Sequence, residues 1–215
     1  DQLKQHIAGG TIQPMTEYAE EFIPELEGYS YNADDLKIDG EIYTLPWESR
    51  TFVYWYRDDV FDTVPQTLPE LADTASEKSE ALAQGFVIGL SDGSNAASFM
   101  ESFVPFLRSA GGEVFDESGK AIFNSEAGIK VMEYVKSLVG AMDKTVLSLG
   151  VDDVVDAFKA GTVLSCNAGT QRAAAIRASE LNDHIVSAPI LGFDGEASPA
   201  VVAGQSLGIG KYCEN

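Results

Sequence analysis

Apolar residues along the chain follow two spacings, one typical of helices and one typical of buried strands. They recur every three or four positions over residues 129–139 and 151–158, which predicts two amphipathic helices. Short apolar runs at residues 86–90, 163–166 and 185–188 predict strands within a core. Strands that alternate with helices in this way predict an α/β fold, in which helices cover the faces of a sheet.

Residues that favour helix starts help to place the other helices. Thr67 and Glu70 have the spacing of a capping box, so a helix is expected over residues 67–83. Ser125 is a good N-cap for the first of the two amphipathic helices. The remaining helices are expected over residues 17–26, 96–109 and 173–181.

A hairpin is predicted near the start of the chain. Asp39 and Gly40 stand between apolar residues, which indicates a tight turn within residues 38–43. Pro46 is expected to end the second strand of this hairpin. Further strands are expected where β-branched and aromatic residues concentrate, over residues 51–56 and 201–209.

The charge balance is strongly acidic, with 34 acidic against 14 basic residues and a formal net charge of −20. Such a surface repels phosphate, so nucleic acid and anionic membranes are not expected as partners. It suits either a high-salt habitat or simply solubility. No apolar run approaches the ~20 residues that a membrane-spanning helix needs. The 215 residues suffice for one core, or for one lobe and part of a second.

The chain carries no pattern that indicates a metal site or a cofactor. Cys166 and Cys213 are too few and too far apart for a disulfide framework or a metal knuckle. Cys166 lies in an apolar run, which favours a buried free thiol over a bridge to Cys213. Solvated surface is expected for the two acidic pairs at residues 58–59 and 152–153.

One motif points to an enzyme. Residues 89–93 (GLSDG) fit the nucleophile elbow of a serine hydrolase, between a predicted strand and a predicted helix. Ser91 would be the nucleophile, followed in the right order by Asp152 or Asp153 and by His184. However, no oxyanion segment precedes the motif, and His184 opens an apolar strand. The hydrolase is therefore the alternative hypothesis.

Several motifs in a fixed order resemble those of the bacterial extracellular solute-binding proteins of family 1, the group of maltose-binding proteins. The first is a hairpin whose turn is Asp-Gly and which ends in a proline. A strand rich in aromatic residues follows it. Later motifs are a double glycine, an Asn-Ser helix start and a final return strand. They lie at residues 39–46 (DGEIYTLP), 51–61 (TFVYWYRDDVF), 65–71 (PQTLPEL), 110–115 (AGGEVF), 123–127 (FNSEA), 156–169 (DAFKAGTVLSCNAG) and 202–209 (VAGQSLGI).

This resemblance implies a type II periplasmic-binding-protein fold with two lobes, of which this chain would contain one nearly complete and one partial. Residues 1–49 would belong to the first lobe and residues 50–197 to the second. Residues 198–215 would form a strand that returns through the hinge to the first lobe. The chain would be incomplete at both ends.

The resemblance also implies a function. The protein would capture a carbohydrate or polyol in an interlobe cleft and deliver it to the membrane permease of an ABC importer. It would not be an enzyme, would act as a monomer, and would need neither cofactor nor metal. Its place would be periplasmic or extracellular, with or without a lipid anchor.

The family carries its ligand contacts on loops and on the return strand, and matching positions can be named here. Sugars need flat aromatic surfaces for stacking and polar side chains for their hydroxyl groups. The cluster at residues 47–50, which combines Trp47, Glu48 and Arg50, could instead be a surface ion pair beside a core tryptophan. Asp92 could belong to a turn that caps a helix. The candidate ligand-binding residues are Trp47, Glu48, Arg50, Asp92, Ser94, Asn167, Thr170, Gln171 and Gln205.

Two of these positions depart from the family pattern. Thr170 and Gln205 stand where relatives often carry tryptophan. The loss of two stacking surfaces favours a smaller or more polar ligand than a long oligosaccharide. Arg172, next in the same loop, could reach a hydroxylated or acidic ligand.

Overall fold

A computed structural model describes residues 2–26, 36–61, 63–79, 84–91, 97–199 and 201–213. Within these residues the helices are α1 (Gln2–Ala8), α2 (Thr16–Ala19), α3 (Ile23–Leu26), α4 (Leu68–Lys78), α5 (Ala97–Ser109), α6 (Glu126–Ala141), α7 (Val151–Lys159) and α8 (Ala173–Arg177). The strands there are β1 (Ile12–Gln13), β2 (Lys37–Ile38), β3 (Glu41–Ile42), β4 (Thr44–Arg57), β5 (Ser165–Gly169), β6 (Ile185–Ala188) and β7 (Val202–Gly210). The predicted alternation of helices and strands is confirmed.

The chain forms two compact units. Unit 1 comprises Asp1–Ser49 and Ala203–Asn215, and unit 2 comprises Arg50–Val202. The chain therefore passes from unit 1 to unit 2 within β4 and returns within β7. The sequence placed the return at residue 198, slightly before this division.

Unit 1 is built around short strands and helices. β1 pairs antiparallel with the end of β7, with Ile12 opposite Gly210. The predicted hairpin is confirmed as β2 and β3, and its turn residues Asp39 and Gly40 have φ angles of 55° and 84°. Two positive φ angles in succession match the turn that an Asp-Gly pair favours. The predicted helix over residues 17–26 is instead split into α2 and α3.

Pro46 does not end a strand, contrary to the prediction. It lies inside β4, which continues without a break from Thr44 to Arg57. The partners β5 and β6 pair with β4 only from Phe52 onward. Pro46 thus lies before the residues of β4 that pair with β5 and β6, in a strand that also has β7 as a neighbour. Proline lacks an N–H group, so it is accommodated at a strand position that donates no hydrogen bond to a partner.

Unit 2 is organised around the second half of β4. β5 pairs antiparallel with it from Phe52↔Gly169 to Tyr56↔Ser165, and β6 also pairs with it antiparallel. The predicted strand at residues 86–90 forms only an isolated parallel bridge, Val87↔Cys166, although residues 86–88 are buried as expected. The strand predicted at residues 163–166 begins later, as β5.

A hydrophobic core fixes β5 against α7 and α8. Trp55 of β4 is buried and donates a hydrogen bond from Nε1 to the Ala168 carbonyl at 3.2 Å. Phe158 of α7 and Ile176 of α8 pack into the same core. Each fully buried side chain of this kind contributes ~1.5–3 kcal/mol, so the end of β5 is held firmly in place.

The helix starts follow the sequence signals closely. Thr67 caps α4, where its Oγ1 accepts the Glu70 N–H at 3.2 Å. The Glu70 carboxylate accepts the N–H of Gln66 at 2.8 Å, one residue before the cap. Ser125 caps α6 as predicted, by accepting the Gly128 N–H at 3.3 Å.

The helix ends agree less evenly with the predictions. α4 ends at Lys78, before the expected end at residue 83, and residues 80–83 lie outside the described part of the chain. α5 ends at Ser109, as expected, and α7 ends at Lys159, one residue beyond the predicted range. The helix expected over residues 173–181 is confined to α8, which is followed by a 3-10 turn at Asn182–His184.

Both cysteines carry free thiols, Cys166 in the core of unit 2 and Cys213 on the surface of unit 1. Burial raises the pKa of the Cys166 thiol far above its usual range, which makes it a poor nucleophile. Among the described residues, every helix is too short or too polar to cross a membrane.

Candidate functional site

The predicted contacts at residues 47–50 lie on a strand and not on the expected loop. Trp47 and Glu48 belong to β4 in unit 1, where side chains alternate between the two faces. The Trp47 side chain is 69% exposed, so the interpretation as a core tryptophan is wrong. Glu48 is half-buried. An exposed indole on a rigid strand is a suitable stacking surface for a sugar ring.

The second predicted group cannot be placed. Asp92 and Ser94 lie outside the residues that the structure describes. The residues just before them are held in place, because the N–H groups of Leu90 and Ser91 both donate to the Leu149 carbonyl at 3.0 Å.

The third predicted group follows the end of β5 in unit 2. Thr170 begins a 3-10 turn, and its Oγ1 accepts the Thr51 N–H of β4 at 3.3 Å. Gln171 is exposed. Asn167 is almost completely buried and donates from Nδ2 to Ser102 Oγ of α5 at 3.2 Å. Its position suits a supporting role better than direct contact with a ligand.

Two arginines lie near this turn. Arg172 ends the turn and donates from Nε and Nη2 to Asp152 Oδ1 of α7, at 2.9 and 2.7 Å. Arg50, which opens unit 2 on β4, is half-buried. Both act electrostatically on one carboxylate, that of Glu101 on α5.

Glu101 is a candidate site residue that the sequence prediction did not include. Burial raises the pKa of its carboxyl group, while the positive charges of Arg172 and Arg50 act to lower it and the Asp152 charge to raise it. A signal was present, because Glu101 is the one acidic residue of α5, whose sequence is mainly apolar. Acidic side chains are seldom buried without a partner, so the position of Glu101 indicates a functional or structural role.

Gln205 lies apart from these residues in the chain and belongs to unit 1. It is exposed on β7 and lines a groove of about 660 Å³ together with Leu3, His6, Thr44 and Ser206. The lining offers hydroxyl, amide and imidazole groups, which can bind ligand hydroxyls.

The residues of the hypothetical hydrolase triad have other partners. His184 Nδ1 lies 3.2 Å from Asp58 Oδ1, and Asp152 is bonded to Arg172. Asp153 accepts the Gly150 N–H at the start of α7. Within the described residues, no hydrogen bond links Ser91 to His184 or to either aspartate.

Unit 2 also exposes an apolar groove of about 830 Å³, lined mainly by α5, α6 and the segment between them. Phe115, Ile129 and Met132 are half exposed there. Its lining is mainly apolar, with Asn124, Glu133 and Lys136 as its polar residues, whereas a sugar site needs several polar groups that converge on the ligand.

The model of the bacterial extracellular solute-binding protein family matches residues 1–213. The chain therefore belongs to this family, as the ordered motifs predicted. Its members are binding proteins and not enzymes.

Solved structures show the same fold. Maltose-bound MalE3 of T. maritima has a TM-score of 0.78 and 22% identity, with 94% of this chain and 54% of that chain covered. A solute-binding protein of Agrobacterium radiobacter K84 in complex with ribitol has a TM-score of 0.79 and 19% identity, with 95% and 54% covered. One of Thermotoga lettingae bound with α-D-tagatose has a TM-score of 0.76 and 19% identity, with 98% and 56% covered.

These similarities establish the type II periplasmic-binding-protein fold that the sequence predicted. The chain spans about half the length of the solved structures that it matches.

Proposed function

We propose that the full-length protein captures a neutral carbohydrate or polyol and delivers it to the membrane permease of an ABC importer. The observation that carries this proposal is the group of polar side chains around the turn at Thr170–Arg172 in unit 2. Arg50, Glu101, Thr170 and Arg172 supply donors and acceptors close to one another. The structural relatives bind maltose, ribitol and tagatose, all rich in hydroxyl groups.

Each unit contributes its own proposed contacts. In unit 1 we assign stacking to the exposed Trp47 and hydrogen bonding to Glu48 and Gln205. In unit 2 we assign hydrogen bonding to Arg50 and to the turn after β5. The other proposed contacts are Thr170, Gln171, Asp92 and Ser94. Asn167 supports Thr170 and Gln171 from the core.

The charge pattern of unit 2 favours a neutral ligand. Arg50 and Arg172 provide two positive charges, and Glu101 and Asp152 provide two negative charges. An acidic ligand would be repelled by the two carboxylates about as strongly as the two arginines attract it, and the reverse holds for a basic ligand. Hydroxyl groups, which both donate and accept, can use both kinds of side chain at once.

The family sets the cellular context of the proposal. Extracellular solute-binding proteins act in the periplasm or outside the cell and hand their ligand to a transporter. We propose the permease of an ABC importer as the protein partner, and we propose that the binding protein acts as a monomer.

A thermal-shift experiment on the full-length protein tests the ligand class. Maltose, ribitol and D-tagatose are the probes, and glycine and spermidine are the controls. A probe at 100 times its Kd should add ~2.7 kcal/mol to the free energy of unfolding, which raises the melting temperature. A shift with glycine or spermidine alone would reject carbohydrate as the ligand class.

The hydrolase hypothesis has its own test. An ester such as p-nitrophenyl acetate should be turned over at the same rate by the native protein and by Ser91→Ala. Turnover that Ser91→Ala abolishes would contradict the assignment as a binding protein.

A further inference from the structure

Glu101 lies on α5, which packs against β5, and Arg172 ends the turn that follows β5. Ser102, next to Glu101 on α5, is bonded to Asn167 of β5 at 3.2 Å. β5 leads directly into the turn that ends at Arg172. The electrostatic effect of Arg172 on Glu101 agrees with this proximity.

Each of these two side chains has one buried polar atom that lacks a hydrogen bond. Glu101 Oε2 and Arg172 Nη1 are both shielded from solvent, and neither has a partner within the described part of the chain. Buried polar groups almost always have a partner, and the cost of leaving one without a partner is higher when the group is charged. The pair therefore has an unused acceptor and an unused donor, which needs an explanation.

A ligand hydroxyl group matches this combination. It can donate its hydrogen to a carboxylate oxygen and accept from a guanidinium N–H through its lone pairs. Both side chains are only partly buried as a whole, so the pair lies where the core of unit 2 meets its surface. Charge-assisted hydrogen bonds of this kind are stronger than neutral ones and select by geometry.

We propose that Glu101 and Arg172 form the specificity-determining pair of the ligand site, with Glu101 accepting from and Arg172 donating to hydroxyl groups of a neutral carbohydrate or polyol. This inference rests on the proposed function. Glu101 is not among the residues that the family motifs indicate, and Arg172 gains a defined role.

The protonation of Glu101 gives the pair a pH signature. Burial, the largest influence, raises the pKa of Glu101, while Arg172 from the turn after β5 and Arg50 from β4 oppose it and Asp152 from α7 adds to it. The ionised carboxylate accepts from a ligand better than the protonated group. Affinity should therefore fall as the pH falls through this raised pKa.

The experiment compares the full-length native protein with Glu101→Gln and Arg172→Gln by calorimetric titration with maltose, ribitol and D-tagatose at pH 5 to 8. Each variant should lose at least about tenfold in affinity for the probe that the native protein binds. Glu133→Gln, an exposed acid of α6, is the matched control and should bind normally. The affinity of Glu101→Gln should no longer depend on pH in this range.

The melting temperature without ligand separates binding from structure. Since burial disfavours the Glu101 charge, the unliganded Glu101→Gln protein should melt at the same or a higher temperature than the native protein at pH 8. This difference should shrink as the pH falls, because the native carboxyl then becomes protonated as well.

The outcomes distinguish the two proposals. If the native protein binds a probe and Glu101→Gln binds it equally well, only the assignment of the pair is overturned. If Glu101→Gln loses affinity and also melts at a lower temperature without ligand, its role is structural and the assignment is again overturned. If the native protein binds none of the three probes, the carbohydrate function fails and the pair fails with it.

Discussion

Arg172 donates two hydrogen bonds to a single oxygen atom of Asp152, from Nε at 2.9 Å and from Nη2 at 2.7 Å. The pair ties the turn after β5 to the first turn of α7. Asp152 is 85% exposed, so the pair contributes only ~0–1 kcal/mol to stability. Its effect is to orient the guanidinium group and leave Nη1 directed away from Asp152.

Asp152→Asn should therefore change binding more than stability. The melting temperature should change little, while affinity for a bound sugar should fall several-fold because Arg172 loses its orientation. Removing the Asp152 charge should also lower the pKa of Glu101, since that charge raises it now. The decline of affinity at acidic pH should then begin at a lower pH, which calorimetric titration can measure. Asp156→Asn on the same helix is the control and should leave affinity unchanged, and an equal loss there would contradict this role for Asp152.

Trp47→Ala tests the proposed stacking surface in unit 1. The side chain is 69% exposed, so its removal should barely alter the free energy of unfolding. The thermal shift produced by maltose should nevertheless decrease, because a stacked aromatic ring is lost. Tyr212→Ala removes another exposed aromatic residue of unit 1 and should leave the shift intact. Equal shifts in the native and Trp47→Ala proteins would remove Trp47 from the site.

Two glycines of α6 should respond in opposite ways to the same substitution. A Cβ at Gly128 would lie 1.9 Å from the Phe123 carbonyl oxygen, so Gly128→Ala should destabilise unit 2 by about 1–3 kcal/mol or more. A Cβ at Gly140 would meet nothing within 4 Å, so Gly140→Ala should stabilise the helix by about 0.5–1 kcal/mol. Urea denaturation of both variants measures the difference. Similar stabilities in the two would show that the Gly128 contact is relieved at no cost.

The two thiols should differ greatly in reactivity. Cys213 is exposed and should react with Ellman's reagent at neutral pH within minutes. Cys166 is fully buried with a raised pKa, so it should react only when unit 2 unfolds. Peptide mapping by mass spectrometry after labelling in increasing urea assigns each site. Rapid labelling of Cys166 in the native Cys213→Ser protein would contradict the buried environment.

Local signals predicted many helix starts and the hairpin turn well. Thr67 and Ser125 cap their helices through hydrogen bonds to residues only three positions away. Asp39-Gly40 adopts the backbone angles that such a pair prefers. These features depend on neighbouring residues alone, so the sequence contains the information needed to predict them.

Features that depend on strand partners were predicted less well. Pro46 remains within β4 because that strand pairs with segments that are distant in the chain, which the local sequence does not reveal. Residues 86–90 are as apolar as a core strand, yet this segment forms only one isolated bridge, Val87↔Cys166. Apolar character predicts burial in such cases more securely than it predicts ladder pairing.

The candidate site shows the same limit. The ordered family motifs led to the turn after β5, but they gave no indication of Glu101, which lies on another element. Its neighbours Arg50, Arg172 and Asp152 are far from it in the chain and act on it only through the fold. Asn167 was predicted as a ligand contact, but it is buried, and this burial could not be inferred from its neighbours alone.

The sequence contains two tryptophans, and one lies in each unit. Trp47 is 69% exposed in unit 1, whereas Trp55 is 3% exposed in the core of unit 2. Their fluorescence should differ accordingly, with red-shifted emission from Trp47 and blue-shifted emission from Trp55. The residues described here thus contain a built-in pair of optical reporters, in which Trp47→Phe and Trp55→Phe would each leave the signal of one unit alone.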